Sequence, residues 1–133
     1  PEGVLPLGFS RLENVSTNGP SAFSLPTERL ITDSASWRRL WQESTAEEVP
    51  PLSVDLEENV IVLVGLGARP SGGYSVEITD IRVRDSVFEV SVSVVSPSED
   101  CVVTGGETAP VDAVAVSEAA RSARFSYTRE ERC

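Results

Sequence analysis

Alternating and continuous apolar runs mark out the elements of this chain. Tyr74, Val76 and Ile78 alternate with polar neighbours, the parity slips at Thr79-Asp80, and Ile81 and Val83 carry the alternation on. A slip of one position predicts a β-bulge. Asp85-Ser86 reads as a tight turn, and beyond it Phe88, Val90, Val92 and Val94 alternate with Glu89, Ser91 and Ser93. Residues 74–95 therefore predict a β-hairpin. The stretch Asn59 to Leu66 is different. It is almost continuously apolar and rich in Val, which predicts a central strand buried on both faces. Further strands are expected at Val111–Val116 and Ala123–Tyr127. Shorter ones are expected over Phe9–Val15 and Phe23–Ile31, with Pro26 marking an edge or a bend. Helical periodicity occurs once. Asp33 is placed to cap the first turn, Trp37, Leu40 and Trp41 form one stripe, and Arg38, Arg39 and Gln42 face away. That helix should end near Ser44. About seven strands and one helix predict a mainly β fold: an antiparallel β-sandwich or open barrel with the N-terminal helix packed against it, with α+β as the alternative. Residues 1–133 read as a single domain, with 1–8 loose.

Composition removes more functions than it adds. The 133 residues carry a net charge of −10, which argues against nucleic acid and against an anionic membrane surface. Every basic residue is Arg; His, Lys and Met do not occur. Without His there is no Ser-His-Asp or Cys-His nucleophile system. Without Lys there is no Schiff base, Ser-Lys dyad or Walker phosphate loop. No catalytic residue, metal site or cofactor is therefore expected. Gly65-Leu66-Gly67 follows a strand, but a dinucleotide loop needs a third Gly where Pro70 stands and a helix after it. The carboxylates Glu47, Glu48, Asp55, Glu57 and Glu58 read as a solvated acidic loop. Trp37 and Trp41, on one helical stripe, read as core rather than as sugar platforms.

The two cysteines, Cys101 and Cys133, are too few for a structural zinc site. A disulfide is their simplest use. It would pin the end of the chain and place the protein outside the cytoplasm: periplasm, cell surface or secreted. The opening PEGVLPLGFS has no signal-peptide pattern and no lipid-accepting Cys. It reads as a processed or trimmed end, and membrane attachment would require a lipid anchor that this chain lacks.

The most informative ten residues are 65–74, GLGARPSGGY. Gly72-Gly73 permits positive φ and close backbone approach. Pro70 stiffens the approach. Arg69 brings a forked donor suited to a partner's carbonyls or carboxylates. Tyr74 combines an apolar ring with a polar tip. The plainer reading is a turn with Tyr74 in the core. The functional one is a preformed contact loop made by Arg69, Pro70, Ser71, Gly72, Gly73 and Tyr74.

At this loop the chain resembles the PrcB family of protease-complex subunits, in their C-terminal domain. The likeness rests on Gly67 through Tyr74, flanked by the apolar strand Val60–Leu66 and the alternating hairpin, and extends toward Thr108-Ala109-Pro110. The Trp-containing helix Ser36–Trp41 is similar to one preceding that domain, so residues 30–118 are the expected extent. Ser71 stands where Thr is usual and keeps the hydroxyl. The resemblance implies a non-catalytic, exported bacterial protein, secreted or lipid-anchored, that binds another protein, with a protease as the implied partner. Arg69–Tyr74 also resembles one loop of the chagasin-type inhibitors of cysteine proteases, which gives inhibition as an alternative. A carbohydrate binder or carboxylate-based hydrolase is a further alternative and would need two acids facing across a cleft.

Overall fold

The computed structural model describes residues 5–12, 15–19, 21, 23–45 and 55–132. In chain order the elements are β1 (Leu5–Pro6), β2 (Ser10–Arg11), β3 (Thr27–Ile31), α1 (Ser34–Thr45), β4 (Val60–Gly65), β5 (Arg69–Ser71), β6 (Ser75–Arg84), β7 (Val87–Ser96), β8 (Gly105–Thr108), β9 (Val111–Val116) and β10 (Ser122–Glu131). Two four-stranded sheets, ordered β1-β6-β7-β10 and β2-β9-β4-β3, stack as a sandwich, and β5 with β8 makes a separate two-stranded ribbon. The expected mainly β sandwich with one helix is what forms.

The double-sided strand explains the layering. Val60, Val62 and Val64 of β4 point into the space between the sheets, where they meet Ile78, Ile81, Phe88, Val90 and Val92. Ile61 and Leu63 point the other way, onto Trp37, Trp41 and Phe23. Strand β9 divides likewise, with Val114 and Val116 inward and Val111 and Ala113 toward the helix side. Three layers result, sheet, sheet and helix, and strands apolar on both faces serve both interfaces. The two Trp rings lie 5.8 Å apart and Phe23 lies 6.2 Å from Trp41, so the helical stripe is core. Among the described residues no helix is long and apolar enough to cross a membrane.

The helix starts as expected. Ser36 donates its backbone N–H to Asp33 Oδ1 at 2.7 Å and its hydroxyl to Oδ2 at 3.0 Å. These bonds, the backbone one foremost, hold the Asp33 carboxyl below its ordinary value of 3.8. A carboxyl lowered by folding stabilises the fold above its unfolded pKa and loses that effect as pH falls through the folded one. Asp33→Ala should therefore lower the melting temperature at neutral pH. The gap between variant and parent should narrow steadily as melts are taken from pH 3.8 down through the lowered folded pKa; a gap that does not narrow over that descent would show that the cap is not its source.

The hairpin also matches the pattern. β6 and β7 pair antiparallel, with a register shift between Ile78 and Asp80, and Asp85 and Ser86 turn with φ of 52° and 64°. Three features differ from expectation. Residues 5–7, expected to be loose, lie along β6: Leu5 faces Val83 and Leu7 N–H donates to Ile81 O. The strand expected from Phe23 begins only after Pro26. Finally, β10 runs parallel to β7, in register from Ser122–Val87 to Glu131–Ser96. The chain crosses to the other sheet through β9 and so re-enters at the end where β7 began, as the bond from Arg121 N–H to Ser86 O shows.

Candidate functional site

The chain is fastened twice between the end of β4 and Arg69. Leu66 N–H donates to Pro110 O at 2.9 Å, and Ala68 N–H donates to Ser24 O at 3.0 Å. Residues 69–71 then pair antiparallel with 105–108, Arg69 opposite Thr108 and Ser71 opposite Gly105, with a register shift between them. Thr108 Oγ1 donates to Ser71 O at 2.8 Å, and Gly72 N–H donates to Thr104 O at 2.9 Å. The expected loop is therefore one strand of a tethered ribbon. Pro70 sits mid-strand, exposed, where its missing N–H leaves no donor at the edge.

The six residues do not share one environment. Pro70 and Gly73 are exposed, Arg69, Ser71 and Tyr74 are half-buried, and Gly72 is buried. The Arg69 guanidinium carbon lies 5.7 Å from the Tyr74 ring centre, a cation–π geometry worth about 0.5–1 kcal/mol at an exposed site. The Tyr74 ring also packs on the inter-sheet core. The plainer reading of Tyr74 agrees with this packing, with Arg69 lying over the ring. A side chain at Gly72 would strike Thr104 Oγ1. Gly73 has a φ of 92°, and a Cβ there would lie 3.0 Å from Pro97 and Val103. The two glycines allow the 97–104 segment to close against the ribbon.

The apolar surface around this ribbon was not foreseen. Leu25 (75% exposed), Val102 (102%) and Val103 (38%) are the large hydrophobic residues left exposed among the described residues. Two of them flank the 67–74 segment: Leu25 comes directly after Ser24, which holds Ala68, and Val103 contacts the Gly73 position, with Val102 next to it in sequence. Pro26 adds a further exposed apolar ring beside Leu25.

Next to Tyr74, where β6 begins, lies a polar cavity of about 300 Å3 lined by Arg11, Asn18, Ser75, Glu77 and Asp112, among others. Asp112 is 2% exposed. Arg11 Nε and Nη2 donate to its two carboxylate oxygens at 2.8 and 3.1 Å. Ile78 N–H donates to Asp112 Oδ2 at 2.7 Å, and Arg11 Nη2 donates to Ile78 O at 2.8 Å. The Asp112 hydrogen bond raises the Arg11 pKa still further. This cluster is saturated internally, so it holds the sheets together rather than offering a free acid. It also has an architectural cause. β1 pairs only with Val83 and Arg82, which leaves the β6 edge open from residue 75 to 80. Arg11, Asp112 and Asn18 (which accepts from Val76 N–H at 3.3 Å) occupy that edge instead of a strand.

Of the other residues singled out, Asp55 uses its carboxylate to accept from Glu57 N–H at 3.0 Å, closing a turn. Glu47 and Glu48 lie outside the described residues, as does Cys133. Cys101 comes after β7 by a short turn in which its N–H donates to Ser98 O. Among the described residues no group of three His, Cys, Asp or Glu side chains is placed to hold a metal ion.

Residues 60–117 match the family model described as PrcB C-terminal. This segment is similar to that family. The match runs from the first residue of β4 to just past β9, a little under half of the chain, and takes in the whole 67–74 segment. The likeness expected over 30–118 is therefore matched from residue 60 onward. The Trp-bearing helix, β3 and β10 lie outside the matched PrcB segment. The PrcB family is associated with a protease complex. No curated protein and no solved structure matches the chain.

Proposed function

We propose that this chain is an exported, non-catalytic accessory domain of a protease complex, and that it grips its protein partner with the β5–β8 ribbon. Arg69, Pro70 and Tyr74 would supply the centre of the contact, with Leu25, Val102 and Val103 around it. The observation that carries this reading is that exposed large hydrophobic side chains lie near both ends of the 67–74 segment, Leu25 by Gly67 and Val103 by Gly73, and that this segment is inside the family-matched stretch. Apolar surface gathered beside a rigid polar and aromatic centre is what protein-contact sites use. The tethers from Ser24, Thr104 and Pro110 fix the ribbon before any partner arrives, which reduces the ordering cost of association. A Cys101–Cys133 bond would accord with an extracytoplasmic location.

The test is capture of the native protease complex from the envelope fraction of the source cells on the immobilised chain. Arg69→Ala with Tyr74→Ala, and separately Val102→Asp with Leu25→Asp, should each reduce capture at least about tenfold, the scale of removing interface anchors. Circular dichroism of each variant should match the parent. Equal capture by parent and both folded variants would remove the ribbon as the contact.

A further inference from the structure

The turn joining β6 to β7 is held in an uncommon backbone conformation. Asp85 and Ser86 both have positive φ, the geometry that two-residue hairpin turns usually fill with Asn-Gly. The segment entering β10 clamps it: Arg121 donates its N–H to Ser86 O at 2.8 Å and its Nε to Asp85 O at 3.4 Å. Beside this turn lies a depression of about 390 Å3 lined by Arg84, Asp85, Val87, Glu89, Arg121 and Arg124. Three guanidiniums thus share one hollow with two carboxylates.

That arrangement runs against the rest of the molecule. Acidic residues outnumber basic ones by 21 to 11 in a chain of net charge −10, so an arginine should readily find a carboxylate. The ion pairs among the described residues involve Arg11, Arg82 and Arg132. None of these involves Arg84, Arg121 or Arg124. The strand register sets Glu89 opposite both Arg82 and Arg124, yet Arg82 turns to Asp80 at 2.9 Å and Arg124 has no ion pair among the described residues. Three exposed arginines against Asp85 and Glu89 leave this hollow with a net formal charge of about +1, a local positive surplus in a chain of net charge −10. Forked guanidinium donors fit the oxygens of an anion closely. The overall negative field selects against long polyanions such as nucleic acid. The hollow lies at the opposite end of the ten-residue hairpin strands from Tyr74, so it is separate from the ribbon proposed as the protein contact.

We propose that this hollow binds a small multivalent oxyanion of the phosphate or polycarboxylate class, with Arg84, Arg121 and Arg124 as its donors. Asp85 and Glu89 accept hydrogen bonds from the ligand's own hydroxyls, which favours a hydrogen phosphate or a hydroxylated carboxylate. The test is a titration of the isotope-labelled full chain at neutral pH with sodium phosphate and, separately, sodium citrate. Sodium chloride at matched ionic strength is the reference. Saturable amide and Arg Nε shifts confined to residues 84–89 and 121–124 are expected, and the tighter of the two probes identifies the class. Arg124→Gln and Arg84→Gln should each weaken the response at least about tenfold, the scale of a lost charge-assisted hydrogen bond. The two variants should keep the parent's melting temperature, because no ion pair is lost. Shifts that track ionic strength equally in chloride, or that saturate unchanged in both variants, would overturn the proposal.

Discussion

Replacing Arg11 by alanine should cost the fold about 3 kcal/mol, the lower end of the penalty for stripping a buried charge of its partner. The variant leaves Asp112, 2% exposed, without either guanidinium donor. It also leaves Ile78 O without the donor it has now. The lower end applies because the Arg11 side chain is 35% exposed, so solvent already screens its side of the pair. Urea unfolding monitored through Trp37 and Trp41 fluorescence reads the loss. The double variant Arg11→Ala, Asp112→Ala should recover part of it, because no unpaired charge then remains buried. If Arg11→Ala alone shifts stability by less than about 1 kcal/mol, the cluster is an ordinary surface ion pair of the kind worth that little.

Removing the bond expected between Cys101 and Cys133 should cost about 3–4 kcal/mol, as chain entropy predicts for a loop of roughly 30 residues. Support comes from the parallel seating of β10. Arg132 N–H donates to Ser96 O at 3.1 Å, and Cys101 lies just beyond that point, its own N–H bonded to Ser98 O. The bond would hold the free end of a strand whose alternate side chains, Ala123, Phe125 and Tyr127, cover part of the core. Losing it should fray β10 from its C-terminal end first. Thermal melts with and without reductant, and of Cys101→Ser with Cys133→Ser, measure the effect. Alkylation of the unfolded, unreduced chain decides the premise, and uptake of label at two thiols would contradict it.

The features legible in the sequence were those that short-range pattern encodes. The doubly buried β4, the bulge near Thr79, the Asp85-Ser86 turn, and the capped helix with its Trp stripe each depend on spacing within about ten residues. Direction and distance were not legible. Alternation in Ala123–Tyr127 gives a face but no polarity, so a parallel β10 looks the same as an antiparallel one. The β5–β8 ribbon escaped because Arg-Pro-Ser and Gly-Gly-Glu-Thr carry no apolar period. Its existence depends on backbone bonds between segments far apart in sequence. The Arg11–Asp112 cluster spans 101 positions. One signal did point to it: a single Asp stands inside the apolar run Val111–Val116, and a strand buried on both faces must supply such a residue with a partner. The exposure of Leu25, Val102 and Val103 had no local signature, because an apolar residue in a loop can equally well be tucked in.

The edge-filling role of Arg11 has a practical consequence for anyone trimming the protein. The PrcB-matched stretch 60–117 contains Asp112 but not the arginine that neutralises it, β4 without β3, and β7 without β10. Expressed by itself, that fragment would leave β4, β6, β7 and β9 each without an outer strand partner and bury a solitary carboxylate. Shortened versions meant to be soluble should therefore be made wider than the matched stretch, keeping residues 5–12 at one end and 122–132 at the other.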